Sequence, residues 1–107
     1  DAFAKCDSLT AISLPNSLRV IERGVFWQCH GLKRIDIPAN VAEIGQYNFL
    51  GCASLEVIRN LSVVPQNVID VFDVKKAHRV KLEVPASAVE AYRHSAVWNK
   101  CEIVSIE

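Results

Sequence analysis

A period of 23 residues constrains this chain more than any other feature. Phe26, Cys29, Leu32, Ile35, Ile37 and Pro38 form its fullest copy. The same spacing runs upstream through Phe3, Cys6, Leu9, Ile12, Leu14 and Pro15, and begins again downstream at Phe49, Cys52, Leu55 and Ile58. A fixed period of this size marks a solenoid, in which each copy is one coil that cannot bury its own apolar side. Stacked coils bury Phe on Phe and Ile on Ile as internal columns, and each such side chain contributes roughly 1.5–3 kcal/mol of transfer free energy.

Within each coil, Leu-x-x-Ile-x-Ile alternates as a short strand does, with its Ile side chains inward. Pro38 ends the ladder because it has no N–H to donate. Pro15-Asn16-Ser17 makes a corner. Leu18 and Ile21 then open an opposite wall, which Val41 and Ile44 repeat at +23. Val25–Cys29 and Asn48–Cys52 are too short for full helices and read as single helical turns of 3₁₀ type. Gly24 and Gly45 mark bends, and Gly31 supplies permissive backbone before Leu32.

After Ile58 the pattern degrades. Asn60-Leu61 replaces Ile-Pro, and Lys75 and His78 stand where Cys and Leu are due after Phe72. The strand returns one residue late as Val80–Pro85. Ser87-Ala88-Val89-Glu90 matches a capping box before a short helix, with Val89, Tyr92 and Ala96 on one face. A last strand is expected near Ile103 to Ile106. Atypical terminal copies are what a solenoid needs to close its core. The expected fold is thus an α/β repeat solenoid of short parallel strands and helical turns with a C-terminal cap. It is one continuous domain, with residues 1–60 as repeats and 61–107 as a degenerate repeat and cap.

The chain has 107 residues, half of them apolar, which is enough for one domain of between four and five coils. No apolar run approaches the roughly 20 residues of a membrane span, so no membrane insertion is expected. Twelve basic residues balance 12 acidic ones, which argues against a nucleic-acid partner. Asp1 begins in mid-repeat, so the chain reads as the C-terminal portion of a longer protein. The absence of a signal segment then says nothing of the parent. Cys6, Cys29 and Cys52 share one phase. Stacking sets equivalent residues about 4.8 Å apart with parallel side chains, whereas a disulfide needs Cβ atoms about 3.8 Å apart and facing. Buried free thiols are expected at these three positions, and Cys101, outside the phase, is the more exposed candidate.

Ala-Phe-x-x-Cys-x-x-Leu-x-x-Ile-x-Ile-Pro resembles the BspA-type leucine-rich repeat of bacterial surface proteins, such as those of Bacteroides. The likeness is close from Asp1 to about Ile58. Leu82-Glu83-Val84-Pro85 with Ala91-Tyr92 and Trp98 is similar to the C-terminal cap common in that family. The family's Ala before Phe is Ala2 here, but Val25 and Asn48 in later copies. The resemblance implies a cell-surface or secreted protein. It also implies adhesion or binding of a protein ligand, such as a host surface or matrix protein, without enzymatic activity and without a cofactor.

Outward residues of the strand wall are the candidate site. In register they form two columns: Ala11, Arg34, Val57 and Lys81 in one, Ser13, Asp36, Arg59 and Glu83 in the other. A concave wall of this kind is the usual binding surface of solenoids, so Arg34, Asp36, Val57, Arg59, Lys81 and Glu83 are the candidate contact residues. The competing reading is a solvated polar face, which alternation also produces. Trp27 follows inward Phe26, so it is expected on the outer surface, as a weaker partner anchor or lying flat on Leu50 or Tyr47. Cys29-His30 raises metal or thiol chemistry. The histidines share no phase, however, and no paired-ligand zinc spacing is present, so an enzyme is a remote alternative and no catalytic or metal residue is assigned. Asn60-Leu61-Ser62 matches a glycosylation sequon that a bacterial origin would leave unused. A protein-binding module is the leading reading. A spacer without a ligand is the alternative. The unpartnered first coil is a candidate edge for self-association.

Overall fold

Each Leu-x-x-Ile-x-Ile run does become a strand. The computed structural model describes residues 3–73 and 75–106. Strands β1 (Ala11–Ser13), β3 (Arg34–Ile37), β5 (Val57–Asn60), β6 (Lys81–Pro85) and β7 (Glu102–Ile106) form one parallel sheet in the order β1-β3-β5-β6-β7. Ile12 pairs with Ile35, Ile35 with Ile58, Ile58 with Leu82 and Leu82 with Ile103, so one inward column crosses every strand. The strand-to-strand interval is 23 until β5, then 24 (81 − 57), then 21 (102 − 81). The opposite wall is a two-stranded ladder of β2 (Val20–Ile21) and β4 (Glu43–Ile44), with Ile21 opposite Ile44 as the period requires.

Between the two walls lies a single apolar core running from Ile21 to Cys101. Phe26 stacks on Phe3 at 5.7 Å and on Phe49 at 6.2 Å, with rings nearly parallel. The column then turns. Phe72 meets Trp98 edge-on at 6.0 Å, and Trp98 meets Tyr92 edge-on at 6.1 Å. The cap comprises α1 (Val89–Arg93) flanked by 3₁₀ turns at Ala86–Ala88 and Trp98–Lys100.

Several expectations change. The segments Val25–Cys29 and Asn48–Cys52 are single turns closed by bonds of 3₁₀ type, and they never join into a continuous helix. Trp27, Cys29, Leu50 and Cys52 each donate to the carbonyl three residues back. Left-handed residues interrupt any continuation: Lys5, Gln28 and Gly51 at one phase, and Gly24, Tyr47 and Asp70 at another, all with φ between 51° and 79°. At those points the amides turn to the next coil instead, as in Lys5 to Trp27 O (2.8 Å) and Gln28 to Leu50 O (2.9 Å). Gly31 is needed for close approach rather than for unusual backbone angles. A Cβ there would collide with the Asp7 carbonyl oxygen of the preceding coil.

The capping box does not form. Ser87 lies inside a 3₁₀ turn, and the Val89 amide already donates to Ala86 O, so no side chain caps α1. Ala96 is exposed because α1 has ended at Arg93; the buried residue of α1 is Tyr92, with Ala88 buried in the preceding 3₁₀ turn. Among the thiols, all four are free. Cys6 is only half-buried, since its coil has a described neighbour on one side alone. Cys101, expected to be the more exposed, is buried against the core. Ala2, at the family's alanine position, lies outside the described residues.

Candidate functional site

The period that stacks the inward Ile column also aligns the outward residues. Arg34 is opposite Val57 and Val57 opposite Lys81; Asp36 is opposite Arg59 and Arg59 opposite Glu83. All six sequence-derived candidates therefore stand on one face, across β3, β5 and β6. β7 extends the columns with Glu102 and Val104, which sequence reasoning did not place.

Their charged heads form one chain of contacts. Ser13 Oγ donates to Asp36 Oδ2 (3.4 Å), Arg34 Nε donates to Asp36 Oδ1 (3.1 Å), and Arg59 Nε donates to Glu83 Oε1 (3.0 Å). Arg34 Nη2 reaches the same Glu83 oxygen at 3.6 Å, joining the two pairs across β5. Two guanidinium groups and two carboxylates cancel, so the face is polar and patterned but neutral at its centre. These side chains remain 20–40% exposed, where each ion pair contributes about 0–1 kcal/mol. Val57 is half-buried within the first column, between Arg34 and Lys81. Lys81 is exposed and lies outside these pairs.

Trp27 is not part of this face. It lies in the turn segment between β2 and β3, half-buried, with Lys5 Nζ 5.2 Å from its ring centroid. Tyr47 carries its own cation, Arg23, at 6.0 Å. A cation therefore lies over the ring of each of these two aromatic residues.

Cys29 and His30, adjacent in sequence, point apart. Cys29 Sγ faces inward and donates to Phe3 O at 2.8 Å, while exposed His30 pairs with Asp7 at 3.2 Å. Burial raises the thiol pKa of Cys29, that of Cys52 to about 11 and that of Cys101 to about 12. Reactive cysteines show the opposite shift. Among the described residues no group of three or more His, Cys, Asp or Glu is arranged to hold a metal ion, and no helix is long and apolar enough to cross a membrane.

The buried polar residues were not anticipated. Asn48, at the family's alanine position, is fully buried. Its amide nitrogen donates to Glu22 O (2.9 Å) and Gly45 O (2.8 Å), and its Oδ1 accepts from the Phe26 amide (3.3 Å). In the neighbouring coils the corresponding Phe amides donate to backbone carbonyls, Phe3 to Val25 and Phe49 to Val71. Asn60 is likewise fully buried, with its nitrogen donating to Gln66 Oε1 at 2.8 Å, so the sequon is closed in the folded chain. Gln66 Nε2 also reaches Val41 O (2.8 Å), Trp98 Nε1 donates to Gln66 O (3.0 Å), and Tyr92 OH donates to Ser62 O (2.8 Å). This knot ties the cap to the repeats.

Comparison with known proteins agrees with the geometry. A family model for the BspA type leucine-rich repeat region matches residues 1–107 in 6 copies. A search of curated proteins finds no match.

Proposed function

Starting from the chain's membership of the BspA-type leucine-rich-repeat family, we propose that it is a non-enzymatic protein-binding module of a bacterial cell-surface or secreted protein. We place binding on the outer face of the five-stranded sheet, with Arg34, Asp36, Val57, Arg59, Lys81 and Glu83 as contact residues and Trp27 as a separate, weaker one. Residues 1–60 carry most of that face, and 61–107 complete and close it. The supporting observation is the alignment of these residues in two columns with half-exposed, mutually paired charges. Weak surface pairs exchange readily for a partner's Asp or Arg, and fixed strands hold them in register at little entropic cost. The partner is a protein, of a host surface or matrix, with a mixed-charge patch. A second reading is a spacer, favoured by the cancellation of charge within the same network.

The two readings separate on a sensor coated with the chain and exposed to a solubilised extracellular-matrix extract. A binding face predicts retention that weakens with salt and falls about tenfold or more in Arg34→Glu/Arg59→Glu. It should fall only slightly in Trp27→Ala. Retention indifferent to the double variant removes the face as the site. No retention at all favours the spacer.

A further inference from the structure

Between the coil that begins at Phe49 and the one that begins at Phe72, the stack opens into a cleft of about 300 Å³. The opening originates in the sequence. Cys and Leu follow Phe by three and six places in the earlier coils, but Lys75 and His78 occupy those places after Phe72, and both are exposed. The smaller Ala77 and Val80 are the buried residues this coil sets beside Cys52 and Leu55. Phe49, Cys52, Leu55, Phe72, Ala77 and Val80 form an apolar floor. Asp73, Lys76 and Arg79 stand at the rim. Among the described residues neither Lys76 nor Arg79 is in an ion pair, while Asp73 Oδ1 accepts from the Lys75 amide at 3.0 Å.

We propose that this cleft binds a small amphipathic anion, a medium-chain carboxylate whose apolar body lies on the floor and whose head meets Lys76 and Arg79. The volume stands at the lower end of the range for small-molecule pockets, about 300–1,000 Å³, and far exceeds one water's share of about 30 Å³. The floor sets affinity through removal of apolar surface from water, and the rim, with two cations against one carboxylate, sets the sign of the head group. This site is separate from the sheet face and stands or falls independently of the protein-binding reading.

The test is titration of the isotope-labelled chain with sodium octanoate below its micelle concentration, followed by backbone amide spectra. Saturable shifts confined to residues 49–55 and 72–80 are expected, with affinity falling about fourfold for each methylene removed, so that hexanoate binds about sixteenfold more weakly. Lys76→Gln/Arg79→Gln should weaken octanoate about two- to fivefold and leave 1-octanol unchanged. Ala53→Phe, at an exposed position on the wall, should block both ligands while the sheet amides keep their positions. Absence of saturable shifts, shifts centred elsewhere, or octanoate binding indifferent to the double variant would overturn the proposal.

Discussion

Phe26 and Trp27 are chain neighbours with opposite environments. Phe26 is fully buried between two rings, so Phe26→Ala should cost about 3–5 kcal/mol. Trp27 is half-buried with one cation over its ring, and Trp27→Ala should lose about 1 kcal/mol. Urea unfolding of the two variants orders them, and a larger loss at Trp27 would reverse the inward and outward assignment. The thiols make a pH prediction. Burial lifts Cys52 from 9.0 to about 11 and Cys101 from 9.0 to about 12. Below pH 9 both states keep these protons and neither thiol contributes a slope. Above it the unfolded chain releases them while the folded chain does not, so stability falls as pH rises towards 11–12. The slope is at most about 1.4 kcal/mol per pH unit for each thiol. Urea midpoints between about pH 8 and pH 10 should therefore fall less steeply in Cys52→Ala/Cys101→Ala, however destabilised that variant is overall. In native protein at neutral pH, a thiol reagent should label Cys6 well before the other three.

At the scale of elements, the strands were legible and the left-handed breaks in the turns were not. An alternating run fixes both its conformation and its inward face, and the period fixes its neighbour, so both outward columns could be written from residue spacing alone. The turn strings depend on left-handed angles at Lys5, Gln28 and Tyr47, residues that carry no local signal for them; the next coil's carbonyls hold them there. Ser87 misled because a capping box describes a helix entered from extended chain, and α1 is entered from a 3₁₀ turn. Asn48 and Asn60 read as departures from the pattern, yet each supplies bonds that an apolar residue could not. The knot around Gln66 gives the prediction at this scale. Gln66→Leu strips partners from Asn60 and from Val41 O, at about 1–3 kcal/mol for each group left unpaired. Thermal unfolding should drop accordingly, and amide exchange should accelerate first in the cap. Equal acceleration throughout would mean that the knot does not join cap to repeats.

For the whole molecule, packing improves inward from the first coil. Phe3 is 38% exposed, and Leu9, Ile12 and Leu14 are half-buried, whereas Leu32, Ile35 and Ile37 are fully enclosed. Hydrogen exchange should be fastest in residues 3–14 among the repeat coils, and this sheet edge is the expected site of self-association. Adding one coil upstream should slow that exchange and reduce association measured by sedimentation. Full protection of the first coil in a monomer would contradict both. The coil-to-coil hydrogen bonds carry a further, mechanical consequence. On the sheet, on the β2–β4 ladder and along the turn strings they all run from one coil to the next. Tension along the stacking direction therefore pulls on these bonds lengthwise and meets them a few at a time, so the stack peels coil by coil at modest force. Tension across a coil shears whole ladders at once and meets far greater resistance. A stack built this way is compliant along one axis and stiff across it.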